Sequence, residues 1–482
     1  MGNLAKCTWF HGWDVQHTAC AKATRCPPGD AQILGIDPAV TCIILQAKAM
    51  ARGIALAVEM TTTEGGELRR VIGAAVIGNA LEWYDFVIYS FLATTIASIF
   101  FPDSDEVAAL LATFATFGVG FLARPFGAIV IGWIGDRYGR RVALVLIIML
   151  MAAGMVLTGL VPAYASIGAL APMTLVLARL IQGFAVGGEW GNATAFIAEW
   201  APESRRGYFS SWQQSSLVAS LLVGSGITAL LNSVLATADM EDWGWRIPFL
   251  LGGLIAPVGV YMRRQINESP AYRRATAMAA PVRAALVGIP IVKTAQAFGF
   301  MVVSAVQFYI FLAYLPTFVQ RYAGLGPAAA LWSNTAGLFL IMITIPLFGA
   351  LSDRVGHKPL MLASCLFFIV ASYPIFAFLQ GPASLAAVVT IQLLIGLAIS
   401  LYCGALPSAI AELFETRRRT TPLSLANGTA VAIFGGFAPY IATWLIDRTG
   451  SPISPTYYVI AAALISLIAV LSVPETAGTE LA

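Results

Sequence analysis

Charge is scarce in this chain: 25 acidic and 28 basic residues in 482, with three histidines, against a hydrophobic share of 58%. Water cannot hold such a surface in solution, and a mean hydropathy of +0.79 calls for lipid as solvent. The net charge of +3 is small and the basic residues are scattered through short loops, which leaves no basic face for nucleic acid. No Cys-x-x-Cys pair occurs among the six cysteines, and their spacings fit no zinc template, so no metal site is expected. G-x-x-x-x-G-K and G-x-G-x-x-G loops are missing, which removes the engine of an ATP-driven pump. Nucleophile elbows and paired metal ligands are missing from the apolar runs too, so neither enzyme chemistry nor a cofactor is expected.

Long apolar runs are present instead. A bilayer core of roughly 30 Å needs about 20 apolar residues per helix. Runs of that kind lie near 71–99, 108–133, 142–161, 173–198, 210–235, 247–262, 289–319, 328–351, 359–379, 385–411, 422–445 and 457–473. The fold class expected is therefore an all-α membrane protein of twelve transmembrane helices. Alternate loops hold Arg137, Arg140 and Arg141; Arg205 and Arg206; Arg263, Arg264, Arg273 and Arg274; Arg354 and Lys358; and Arg417, Arg418 and Arg419. The other loops hold little beyond Arg246, Arg321 and Arg448, beside Asp103, Asp105, Glu106, Asp239, Glu241 and Asp242. The positive-inside rule then puts the basic loops, and both ends of the twelve-span region, in the cytoplasm of a cell inner (plasma) membrane protein.

Residues 1–59 stand outside this pattern, with Cys7, Cys20, Cys26, Cys42, His11 and His17 and no helical period. The natural chain is expected to begin at Met60, whose TTTEGGELRR segment leads into the first span; no secretory signal peptide is evident. Cys365 and Cys403 fall in apolar spans and are expected to pack as small hydrophobes.

An internal repeat organises the remainder. GWIGDRYGRR (Gly132–Arg141) follows the second span and GALSDRVGHK (Gly349–Lys358) the eighth. AEWAPESRR (Ala198–Arg206) closes the fourth and AELFETRRR (Ala411–Arg419) the tenth, while NESP (Asn267–Pro270) follows the sixth and PET (Pro474–Thr476) the twelfth. The chain thus divides into a six-helix bundle over 60–262, a basic linker over 263–288, a second bundle over 289–474 and a short tail over 475–482. Parallel halves of this kind place a substrate site near the bilayer midplane and expose it alternately to the two sides.

The G-x-x-x-D-R-x-G-R-R loop, its degenerate second copy and RLIQGF (Arg179–Phe184) resemble the major facilitator superfamily. GNALEWYDF (Gly78–Phe86), LARPFGA (Leu122–Ala128), LARLIQGFAVGGEWG (Leu177–Gly191) and WGWRIPF (Trp243–Phe249) resemble its metabolite:proton symporter branch. The resemblance implies import of a small metabolite with protons: citrate, α-ketoglutarate or another carboxylate, with shikimate, proline and betaine as alternatives. AIFGGFAPYIATWL (Ala432–Leu445) is most similar to the citrate and dicarboxylate types. A proton-coupled exporter of hydrophobic compounds is the rival on the same fold, and a sensor without flux differs in kind. Substrate, protons and the bilayer are the expected partners of a monomer.

Ionisable residues within spans are costly and mark function. Glu82 and Asp85 on the first span, Arg124 on the second, and Arg179 and Glu189 on the fourth are the candidates for proton coupling. At 1.5 Å per residue Asp85 lies roughly 20 Å from the inner end of its helix, at a depth similar to Arg179. Glu82 and Arg124 share a second depth nearer the cytoplasm. An ion pair between a carboxylate and an arginine can be exchanged for a proton, changing which packing is stable. Tyr84, Tyr89, Gln182, Gln214, Gln307, Tyr309, Tyr314 and Tyr402 are candidates to line the cavity. Gly183, Gly187 and Gly191 suit close helix packing. In the gating motif, Gly132, Gly139, Gly349 and Gly356 allow close approach, and Asp136 and Asp353 are suited to the N-terminus of a neighbouring helix. The superfamily resemblance implies that Arg137 and Arg140, next to Arg141, pair with Glu199 to close the cytoplasmic gate, with Arg354 and Glu412 as the weaker counterpart. His357 replaces an arginine in that second copy.

Overall fold

A computed structural model describes residues 83–479, except 85, 139, 187–188, 254–289 and 416–418. Residues 1–59, the linker, Glu82 and Asp85 lie outside the described residues, as do the side chains of Asp136, Arg137, Arg140, Arg141 and Glu189.

The first half comprises α1 (Ala93–Phe100), α2 (Glu106–Leu122), α3 (Arg124–Tyr138), α4 (Arg140–Leu160), α5 (Leu170–Ala185), α6 (Glu189–Trp200) and α7 (Arg206–Val234). The second comprises α8 (Ile291–Gln307), a π-helical turn over Phe308–Tyr314, α9 (Leu315–Tyr322), α10 (Pro327–Val355), α11 (His357–Leu379), α12 (Leu385–Glu412), α13 (Thr420–Ala430), a π-helical turn over Val431–Gly435, α14 (Ala438–Thr449) and α15 (Pro455–Leu471). Among the described residues seven stretches are long and apolar enough to cross a bilayer: Glu106–Ile131, Glu203–Val234, Ile291–Tyr322, Pro327–Val355, His357–Leu379, Leu385–Glu412 and Thr420–Thr449. Val145–Leu160, Leu170–Ala185 and Pro455–Leu471 are shorter apolar helices. These helices match the apolar runs, because in lipid every backbone N–H and C=O must be satisfied within its own segment.

Local chemistry sets the breaks. Asp105 caps α2, accepting from the Val107 and Ala108 N–H groups at 3.0 and 2.9 Å. Pro327 opens α10 at a position that needs no N–H donor. Gly356, at φ 103°, separates α10 from α11 in a conformation closed to residues with a Cβ.

Two seams join the halves. Along the first, α7 lies on α10. Small residues let the backbones approach: a Cβ on Gly207 would meet Gly349 O at 2.6 Å across the seam, and within the second half one on Gly404 of α12 would meet Gly349 N at 2.8 Å. Serines of α7 then bond to α10, Ser215 Oγ to Met342 O at 2.7 Å and Ser225 Oγ to Leu331 O at 3.1 Å. The second seam sets α2 against α14 and the π-turn before it. Here rings enter glycine notches, Phe437 on Gly118 and Phe121 on Gly436 across the halves, with Tyr309 on Gly435 beside them within the second half. Within the first half Gly183 abuts the Gly120 backbone, as its spacing suggested, and Gly191 abuts Ser424 across the halves. Gly187 lies outside the described residues.

Candidate functional site

The middle of the bundle is aromatic and cationic. Arg124, first residue of α3, is buried, with its guanidinium 4.2 Å from the Phe121 ring centroid, 4.8 Å from Phe86 and 5.8 Å from Trp83. Rings from the other half complete the cluster: Phe308 lies 5.4 Å from Trp83, and Tyr309 lies 5.5 Å from Phe121 and 6.0 Å from Phe117. Tyr309 sits on the π-helical turn, where an extra residue per turn re-aims the side chain. Arg179 is fully buried on α5, 4.7 Å from the Tyr89 ring, and donates to Thr158 Oγ1 at 3.4 Å. A guanidinium on an aromatic face gains cation–π stabilisation that grows as water is excluded.

The remaining cavity candidates divide. Tyr89 donates to Thr113 O at 3.3 Å and stacks on Phe117, which keeps it beside Arg179. Gln307 ends α8 and donates to Ser364 Oγ at 3.4 Å. Gln182 packs against Gly154, and Gln214 is buried on α7. Tyr314 meets Phe114 and Thr443 where the halves touch. Tyr84 and Tyr402 act as braces inside their own halves: their hydroxyls donate to Pro248 O at 3.2 Å and to Phe300 O at 2.7 Å.

The motif end of the molecule is closed by ion pairs that cross the halves. Glu199 receives Arg419 at 3.2 Å, and Glu412 receives Arg206 at 2.6 Å. Glu199 and Arg206 in one repeat stand where Glu412 and Arg419 stand in the other, so the pseudo-two-fold axis makes each acid meet the base of the opposite half. The expected partners are therefore corrected in part. Glu412 is held by Arg206 and by His357 Nε2 at 3.4 Å, whereas Arg354 is exposed and does not reach it. Glu199 takes Arg419; the side chains of Arg137 and Arg140 lie outside the described residues. Burial holds the Glu199 carboxyl above its ordinary value, with the Arg419 charge opposing the rise. It likewise lowers Arg419, against the pull of Glu199. Both shifts have one cause, the loss of water around a pair that is only partly compensated.

Asp353 lies in the last turn of α10, against the start of α7. Its carboxylate accepts the Gly207 N–H at 2.7 Å and the Tyr208 N–H at 2.9 Å, at the N-terminus of α7. Gly349 and Asp353 are helical, so the motif is the last turn of α10 rather than a loop, and Gly132 and Asp136 occupy the matching turn of α3. Sequence reading missed Glu475, which accepts the His357 and Lys358 N–H groups at 3.0 Å each and caps α11. It also missed the role of Arg206, taken only as a topology charge; the shared acid-to-arginine spacing of the two repeats was the available signal.

Two halves with repeated motif ends, close-packed motif helices and an aromatic, cationic interface are the frame of a membrane transporter. The sequence matches the Major Facilitator Superfamily over residues 75–427 and again over 297–480, and the chain belongs to that family. It is 36% identical over 415 residues to the citrate-proton symporter of Klebsiella pneumoniae, covering 86% of this chain and 93% of the relative. It is 30% identical over 435 residues to the proline/betaine transporter of Escherichia coli K12, covering 88% and 87%. A putative proline/betaine transporter of Staphylococcus aureus COL is 34% identical over 424 residues, covering 86% and 90%. Among solved structures, the proton:xylose symporter XylE bound to 6-bromo-6-deoxy-D-glucose superposes with a TM-score of 0.69 at 18% identity, over 87% of this chain and 98% of that one. Its partially occluded inward-open form gives 0.62 at 20% identity, over 86% and 99%. These likenesses establish the twelve-helix major facilitator fold and a transporter rather than an enzyme.

Proposed function

We propose that the protein imports a small organic carboxylate, of the citrate or α-ketoglutarate kind, together with protons by alternating access. The observation that carries this reading is the pair of buried arginines, Arg124 and Arg179. Held on aromatic faces in the interior, they supply the positive field that an anion needs once it leaves water. The citrate-proton symporter relative supports it. The rings of Trp83, Phe86 and Phe121 around one cation favour a second reading, shared with the proline/betaine relatives: a zwitterion whose ammonium stacks on the rings while its carboxylate meets an arginine. In either case Asp85, with Arg179 as partner, is the main coupling carboxylate, and Glu82 and Glu189 stand behind it. The basic motif end faces the cytoplasm in this reading.

The test is uptake of labelled citrate, α-ketoglutarate and betaine into proteoliposomes, with and without an imposed proton gradient. A carboxylate should accumulate only with the gradient. Arg124→Gln should weaken its uptake about tenfold to a hundredfold, the loss of one charge-assisted hydrogen bond. Asp85→Asn should abolish accumulation and retain counterflow. Accumulation of betaine alone moves the assignment to the zwitterion, and gradient-independent flux of every substrate overturns symport. If Asp85→Asn still accumulates substrate in a pH-dependent way, coupling belongs to Glu82 or Glu189.

A further inference from the structure

His357 stands where the first repeat has Arg140, exchanging a permanent cation for an imidazole that can be neutral or carry a proton. Its ring is buried, with Nε2 3.4 Å from Glu412 Oε2, while Arg206 Nη1 holds the other oxygen of the same carboxylate at 2.6 Å. Glu412 and His357 belong to the second half and Arg206 to the first. One carboxylate is thus shared between an imidazole of its own half and a guanidinium of the other. Among the described residues the charged groups around the ring are Glu412 from α12, Arg206 from α7, Asp353 from the end of α10, Glu475 from the segment after α15, and the adjacent Lys358. α8 and α15 contribute the apolar Phe300 and Val470. Nδ1 has no hydrogen-bond partner among the described residues, and the ring lines a small recess with Met361, Pro474 and Thr476.

From this geometry we infer that His357 is a second proton-binding site, separate from the coupling carboxylates, that sets how firmly the motif end is closed. Glu412 holds the halves together by attracting Arg206. A proton on His357 adds a positive charge to the second half beside that guanidinium, offsetting the carboxylate and repelling Arg206. Opening carries Arg206 away and removes that repulsion, so by linkage the open state takes up the proton more readily and acid favours opening. The physiological meaning rests on the proposed cytoplasmic placement of this end. A carrier that brings protons inward would linger in its inward-open state as the cytosol acidifies, and the return step would slow. The device brakes further proton entry.

The experiment attaches spin labels at Glu203→Cys and Glu415→Cys, both exposed and flanking the lock, in a background without other cysteines. Distance distributions are then recorded from pH 8 to pH 6. In the otherwise native chain the open-to-closed ratio at the motif end should rise about fivefold as pH falls, the scale of a modest coupling between sites. With His357→Gln the ratio should stay at the pH 8 value throughout, and with His357→Arg at the pH 6 value. A His357→Gln protein that keeps the native pH dependence, or a His357→Arg protein that stays closed, overturns the inference. Should either variant fail to fold, the other decides it. Because these distances are read without substrate, failure of the symport reading shows separately, as gradient-independent uptake by the unmodified chain.

Discussion

The two ends of the molecule are closed by different physics. At the motif end Arg206 and Glu412 meet at 2.6 Å with their side chains 2% and 1% exposed, and Asp353 receives two N–H groups of α7 across the halves. At the opposite end Arg321 and Glu106 stand 3.6 Å apart with 21% and 78% exposure, helped by Thr94 on Gln320 at 3.4 Å and Ser90 on Ala313 O at 3.1 Å. An exposed pair contributes little, because water and salt screen it and two long side chains lose freedom to make it. Removing one partner from a buried pair instead leaves a charge without water or counter-ion. The motif end is the firm lock and the opposite end the soft one, so the opposite end is the first to part.

The sharpest way to break that comparison is Glu412→Gln. It leaves Arg206 buried against a neutral amide, and the expected loss is about 3–5 kcal/mol from the state closed at the motif end. Melting temperature in detergent and the reactivity of a motif-end cysteine measure it: the first should fall and the second rise. Replacing both Arg206 and Glu412 with methionine should recover most of the stability, since an apolar pair of similar volume carries no desolvation cost. A Glu412→Gln protein that melts no earlier than Glu106→Gln would remove the distinction between the ends.

Glu475→Gln is expected to act less strongly. Burial pushes the Glu475 carboxyl up, but N–H donors from Ala477, Lys358 and His357, together with the His357 charge, outweigh it and hold the group below its ordinary 4.5. The unfolded chain therefore takes up this proton at higher pH than the folded one. The stabilisation is present above pH 4.5 and is lost as pH falls through the lowered value. Loss of the cap should cost about 1 kcal/mol at pH 7. Melting curves at several pH values check the sign: the gap between variant and native chain should close toward acid, and a gap that widens there would contradict the capping role.

What was legible in the sequence follows from what lipid enforces. The run read at 385–411 is α12, Leu385–Glu412, and the run at 359–379 is the body of α11, because apolar length and helix length coincide in a bilayer. The eighth run, read to 351, continues as helix to Val355, since hydropathy marks where lipid stops rather than where backbone hydrogen bonding stops. The π-helical turn that aims Tyr309 at Phe121 left no hydropathy signature. Arg124 and Arg179 stood out because a charge in an apolar run is conspicuous, but their aromatic seats depend on which helices become neighbours. The exchange of partners between Glu199, Arg206, Glu412 and Arg419 was hidden for a related reason. Spacing shows that both repeats carry an acid and an arginine, and only the pseudo-two-fold axis brings each acid to the other repeat's arginine.

The smallest effect expected is at the soft end. Glu106 is the first residue of α2, where a carboxylate gains from the helix dipole as well as from Arg321, and both gains are weak at such exposure. Glu106→Gln should therefore lower stability by no more than about 0.5 kcal/mol at low salt, and by less at high salt, where the screening length shortens to a few ångströms. Arg321 retains a second role that does not depend on the pair, its guanidinium carbon lying 5.9 Å from the Tyr322 ring centroid, so Arg321→Ala should cost more than Glu106→Gln. Melting temperatures of both variants at two salt concentrations separate the contributions. Salt dependence should vanish in Glu106→Gln while the Arg321→Ala deficit persists. If Glu106→Gln instead destabilises the protein as much as Glu412→Gln, the opposite end is also held by charge, and the asymmetry between the two gates would have to come from the helices rather than from the pairs that close them.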